Sequence, residues 1–126
     1  HVRKVSPSIE ISATVVPSME RSYLVTFQDW TEWLDSRYVD YIVAMNYTDD
    51  TRLMELKARS LLMGGYRDKT YMGIGAYLLK ESPEVIKEQL LALKKLSPGG
   101  IVIFSYDEVA GNKDLQVFLS ENFTEK

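Results

Sequence analysis

"VDYIVAMNYTDDTRLMELKARSLLMGG", residues 39–65, decides the fold. Residues 39–48 form a nearly continuous apolar run of the kind found in strands covered on both faces, as in a parallel sheet. The run ends in Asn46, Tyr47, Thr48, Asp49 and Asp50. Beyond that polar knot, Leu53, Leu56 and Leu61 recur at helical spacing, with Asp50 placed to cap the helix and Gly64-Gly65 to stop it. A buried strand, a short polar turn and an amphipathic helix make one βα unit.

The same unit repeats outward. "IEISATVVP" (9–17) alternates and is β-branched, and "QDWTEWLD" (28–35) sets Trp30, Trp33 and Leu34 on one helix face. "TYMGIGAYLL" (70–79) reads as a strand. "SPEVIKEQLLALKKLSPGG" (82–100) reads as a helix capped at Ser82, with Pro83 at its first position. "IVIFSYD" (101–107) is the next strand and "NKDLQVFLSENF" (112–123) the last helix. Four strand-helix alternations with short connections predict an α/β domain with a parallel sheet, spanning residues 1–126. Two architectures fit: an open doubly wound sheet of flavodoxin or receiver type, and half of an eight-stranded (β/α) barrel. Both place ligands beyond the carboxyl ends of their strands.

Composition removes several functions. A formal charge of −3 and the lack of any Lys/Arg cluster argue against nucleic acid as a partner. The apolar runs carry charges and are too short to span a bilayer. No cysteine is present, and His1 is the sole histidine. A disulfide, a catalytic thiolate and a cysteine metal site are excluded, a lone terminal histidine argues against a Ser-His-Asp triad or a multi-histidine metal site, and neither a metal nor another cofactor is expected. An opening on His1 rather than Met reads as a piece of a longer protein.

The four strand ends are "VVPSMER", "MNYTDD", "GAYLLKESP" and "FSYDEVAGN". No phosphate loop is among them, and the glycines of "MGIGAY" lie inside a strand rather than at a strand-to-helix turn. A receiver domain would need paired acids after its first strand; here that strand ends in Pro17-Ser18. What remains is a rim of amide, hydroxyl, carboxylate and aromatic groups. Such a rim suits a neutral, hydroxyl-rich ligand, whose hydroxyls bond to polar groups while aromatic faces cover the apolar side of a sugar ring. Alternation puts Tyr41, Val43, Met45 and Tyr47 on one face of the strand and Ile42, Ala44, Asn46 and Thr48 on the other. It also groups Val102, Phe104 and Tyr106, and groups Gly73 and Gly75 with Tyr77, leaving room beneath that tyrosine. Asp49 and Asp107 are the candidate catalytic carboxylates; Asp50 reads more simply as a helix cap. Trp30 and Trp33 most simply bury their helix, with Trp30 the better placed to act as a sugar platform. Asn46 reads as a loop hydrogen-bonder, Met45 as core, and "KEQLLALKK" (87–95) as a solvated helix face.

"QDWTEWLDSRYVDYIVAMNYTDD" (28–50), "GIGAYLL" (73–79) and "GGIVIFSYD" (99–107) together resemble the C-terminal half of a bacterial family of glycoside-hydrolase-like proteins, glycosyl-hydrolase-like family 10. The likeness runs from about Ile9 to Asp107 and departs from the family pattern at Ala44, where a proline is usual. The Met45-x-Tyr47 and "GGIVIF" pieces are also similar to strands of family 18 chitinase-like barrels. The resemblance implies strands five to eight of a (β/α)8 barrel, in a parent that is exported or in the cell envelope and hydrolyses glycosidic bonds. It implies that Tyr47 contacts the sugar and that Phe104 floors the pocket. With the rim reading, the expected substrate-binding set is Tyr47, Asp49, Tyr77, Phe104, Tyr106 and Trp30. Two further readings stay open: a non-catalytic carbohydrate-binding or scaffold barrel, and an independent flavodoxin-like domain. A half barrel would also leave two strand edges and an apolar face unpaired, including Tyr41, Val43, Met45, Val102 and Phe104, so a homodimer of half-barrels is expected.

Overall fold

A computed structural model describes residues 2–123; His1 lies outside them. A single helical turn, α1 (Val2–Val5), leads to β1 (Ser12–Val15), followed by the short helices α2 (Met19–Leu24) and α3 (Trp30–Asp35). Then come β2 (Tyr41–Met45), α4 (Thr51–Leu62), β3 (Thr70–Gly75), α5 (Pro83–Leu96) and β4 (Gly100–Phe104). The chain closes with α6 (Tyr106–Ala110) and α7 (Lys113–Phe123). The four strands form one sheet in the order β1-β2-β3-β4, every pair parallel. The expected α/β class with four βα units and a parallel sheet is what the chain adopts.

Each crossover steps to the adjacent strand in the same direction. Right-handed crossovers taken that way pile all their helices on one side of the sheet. The core agrees: Ile42, Ala44, Met72 and Ile74 are fully buried against Met54, Ala58, Leu61, Leu90 and Leu93 from α4 and α5. Fully burying each large side chain contributes about 1.5–3 kcal/mol. The register aligns Thr14 with Val43, Val43 with Tyr71, and Gly73 with Val102, which places Tyr41, Val43, Met45, Tyr71, Val102 and Phe104 together on the opposite face. None of these belongs to the helix-packed core. A doubly wound sheet would reverse its strand order and take helices on both faces, so the flavodoxin-like layout does not describe this chain.

Several local expectations shift. Asp50 caps α4 as anticipated, its carboxylate accepting from the Leu53 N–H at 2.9 Å. The buried face of α4, however, is Met54, Ala58, Leu61 and Leu62, while Leu53 and Leu56 point to solvent. Positions i, i+4, i+7 and i+8 form the stripe, and small Ala58 lets the helix approach the sheet closely. The strand over 70–79 ends at Gly75, where residues 76–79 turn into a 3-10 helix. Likewise the strand over 101–107 ends at Phe104, and Tyr106 opens α6. Ser82 and Pro83 begin α5 as expected, although the Ser82 side chain makes no capping bond. Among the described residues no helix is long and apolar enough to cross a membrane.

Candidate functional site

Three side chains from three neighbouring strand ends meet on the open face. Tyr47 lies two residues beyond the end of β2, Tyr77 lies in the turn after β3, and Phe104 ends β4. The Tyr47 and Phe104 rings lie 5.4 Å apart, tilted by 57°. Tyr77 meets Tyr47 edge-on at 5.9 Å and is 45% exposed, which leaves the cluster open to solvent on that side. Such tilted and edge-on pairs are the favoured geometry for aromatic rings.

The glycines of β3 explain how the rings fit. A Cβ at Gly75 would sit 3.1 Å from Cβ and Cγ of Tyr47. At Gly73 it would sit 3.3 Å from the nearest ring carbons of both Tyr47 and Phe104. The pair thus forms a trough for the ring from β2. It does not make the predicted space beneath Tyr77, because the backbone leaves the sheet at Gly75 and Tyr77 no longer continues the strand alternation. Burial, and secondarily the neighbouring Tyr77, raises the Tyr47 phenol above its ordinary value of 10.0.

The rim around this cluster is built from loops. Asp49 is exposed between β2 and α4, and no hydrogen bond or ion pair engages it among the described residues. Asp107 is exposed in the first turn of α6, facing the neighbourhood of Lys80. Lys80 bonds Glu108 at 2.8 Å, and that bond raises the lysine above its ordinary range. The bridge joins the turn after β3 to α6 and offsets the charge of Lys80. Beneath it lies a cavity of about 190 Å³ lined by Ala76, Leu79, Ile86 and Asp107 among others. Among the described residues no three Asp, Glu or His side chains gather as a metal site would need.

Two expected members are not part of the cluster. Trp30 is 1% exposed, set edge-on to Tyr66 at 5.8 Å with an interplanar angle of 79°; both faces of its indole are spent in the core and none can serve as a sugar platform. Tyr66 in turn donates to Asp35 at 2.9 Å, which raises its phenol above the ordinary value. Tyr106 is 79% exposed at the start of α6 and does not stack with Phe104, because the strand has already ended.

Two features escaped the sequence reading. The segment between Pro17 and Gln28, to which the sequence assigns no element, holds α2, capped by Ser18; Pro17, Met19, Tyr23, Leu24 and Leu56 line a groove of about 680 Å³ between α2 and α4. Its weak signal was the single turn of apolar spacing from Met19 to Tyr23. The second is Gln89, read as part of a solvated face but fully buried. Its signal was present in the sequence: Ile86, Gln89, Leu90 and Leu93 fall at i, i+3, i+4 and i+7, a polar residue inside an apolar stripe.

Searches of family models, curated proteins and solved structures returned no match to this chain.

Proposed function

We propose that this chain is one half of a (β/α)8-type carbohydrate-handling barrel, the C-terminal half of a glycoside-hydrolase-like parent, and is not catalytic alone. The observation that carries the reading is the cluster of Tyr47, Tyr77 and Phe104 at the carboxyl ends of three adjacent parallel strands, with Asp49 and Asp107 on the same rim. Aromatic faces for the apolar side of a sugar ring and carboxylates for its hydroxyls are what a neutral oligosaccharide requires. The singly wound strand order supports the barrel half, since continuing the same step from either edge curls a sheet toward closure.

Hydrolysis needs two carboxyl groups flanking the bond, one of them sheltered enough to stay protonated. Asp49 and Asp107 are both exposed. That exposure favours, as a second reading, a carbohydrate-binding barrel without chemistry. Residues 1–126 are therefore expected to hydrolyse no chromogenic glycoside or polysaccharide; turnover abolished by Asp49→Asn or Asp107→Asn would overturn this.

Binding is tested by titrating isotope-labelled protein with a panel of neutral oligosaccharides. The Tyr47, Tyr77 and Phe104 ring signals are expected to move first, and Tyr47→Phe to weaken the response by removing one hydroxyl while keeping the ring. A panel that leaves all three signals in place removes the carbohydrate reading.

A further inference from the structure

The segment between β2 and α4 carries Tyr47, and two amides that face away from the aromatic cluster hold it. Asn46 and Gln89 are both fully buried. The Asn46 side chain donates from Nδ2 to the Met54 carbonyl in α4 at 2.9 Å. Gln89 reaches across from α5 and donates from Nε2 to the Thr48 carbonyl at 2.8 Å. The residues immediately before and after Tyr47 are thereby tied to different helices. A third tie runs from the Asn46 backbone N–H to the Gly73 carbonyl at 3.1 Å, on the strand whose glycines receive the Tyr47 ring.

Each amide is only half satisfied. Asn46 Oδ1 and Gln89 Oε1 are buried and have no hydrogen-bond partner among the described residues. An unmatched buried acceptor lowers stability relative to an apolar group of the same shape. Methionine at position 89 would complete the apolar stripe of Ile86, Leu90 and Leu93 without that loss. What it could not do is fix the Thr48 carbonyl. We infer that Gln89, together with Asn46, is a positioning residue whose role is to hold Tyr47 in the trough of Gly73 and Gly75. A binding ring set on a loop needs such a supporting layer to stay in its productive geometry. The inference rests on the proposed function for the importance of Tyr47, but its test needs no sugar.

The experiment is amide exchange by NMR on the chain and on Gln89→Met, with labelled tyrosine to follow the Tyr47 ring. In Gln89→Met, the protection factors of the Asp50 and Leu53 amides, which depend on the Thr48 hydroxyl and the Asp50 carboxylate, are expected to fall about tenfold, the worth of one hydrogen bond. Met72 and Ile74 in β3 should keep theirs, the melting temperature should hold or rise, and the Tyr47 ring signal should shift. Unchanged protection at Asp50 and Leu53, or a uniform loss that includes β3, reduces Gln89 to core filler and overturns the inference. Should Gln89→Met fail to fold, native-state exchange of the unaltered chain in low denaturant decides. The Asp50 and Leu53 amides should then open together with Leu90 in α5, and independent local fraying of the loop would overturn the inference. A failed oligosaccharide titration would sink the proposed function while leaving a local loosening in Gln89→Met intact, so the two failures are distinguishable.

Discussion

The two faces of this sheet are made by the same four strands and have opposite fates. On one, Ile42, Ala44, Met72 and Ile74 are sealed under α4 and α5. On the other, Tyr41, Val43, Met45, Tyr71, Val102 and Phe104 share a face outside the helix-packed core. The sealed face uses aliphatic side chains and a methionine that pack against helices. The open face uses flat rings laid over glycines: Tyr71 lies across Gly100 and stacks on Tyr41 at 4.3 Å, as Tyr47 lies across Gly73 and Gly75. Where no helix arrives to fill space, rings lying against bare backbone provide the cover. The tyrosines also present hydroxyls, which suits a face that ends in a binding rim.

The largest effect expected from this contrast is on the sealed side. Ile74→Ala should destabilise the chain by about 2–5 kcal/mol, because α4 and α5 cannot collapse into the space left. Val102→Ala on the open face should cost less than about 1.5 kcal/mol, since part of its surface is already hydrated. Chemical denaturation measures both. Equal losses would mean that the open face is covered in solution. Light scattering after size exclusion then identifies the cover: the half-barrel reading expects a dimer, with each β4 edge beside the partner's β1. A concentration-independent monomer would leave the face open.

An intermediate effect is expected where rings meet glycine. In Gly100→Ala the new Cβ would fall 2.5 Å from the Tyr71 ring, so Tyr71 must swing off and its stack on Tyr41 is lost. Overpacking of this kind costs about 1–3 kcal/mol. Near-ultraviolet circular dichroism should lose tyrosine intensity in step with stability. A variant that keeps both would show that the ring has room the present packing does not suggest.

How much of this was legible in the sequence follows from the same contrast. The strand-helix alternation, the Asp50 cap and the two faces of β2 were readable because period and capping chemistry are local properties. The stripe of α4 was misassigned because Leu53 and Leu56 are more apolar than Ala58, yet small size, not hydropathy, decides which side meets the sheet. Trp30 was read as either core or platform because an indole suits both, and only packing against Tyr66 settles it. Of the site, Tyr47 and Phe104 came together as the strand ends suggested. Tyr106 did not, because the strand expected over 101–107 ends three residues sooner, at Phe104. The burial of Gln89 is legible from its place in the apolar stripe of Ile86, Leu90 and Leu93, but its partner is not, because a bond to Thr48, 41 residues away, leaves no local trace.

The smallest expected effect is confined to alkaline solution and separates two tyrosines, one from each side of the molecule. Tyr47 on the open face and Tyr66 beside Trp30 both hold their phenol protons more tightly than an ordinary tyrosine. In the unfolded chain both would titrate near 10.0. Below that value folded and unfolded states carry the same protons, and neither group changes stability with pH. Above it the unfolded chain releases protons that the folded chain retains, so stability falls until pH passes the raised folded values. Tyr47→Phe should remove its share of that fall and leave the neutral-pH stability nearly unchanged, because the Tyr47 hydroxyl has no hydrogen-bond partner among the described residues. Tyr66→Phe should also flatten the alkaline slope, but it should lower the neutral-pH midpoint as well, through the lost bond to Asp35. Urea midpoints at neutral pH and at about pH 10–11, just above the ordinary phenol range, measure both slopes. An alkaline slope unaltered by Tyr47→Phe would mean that the Tyr47 ring is not sheltered in its glycine trough.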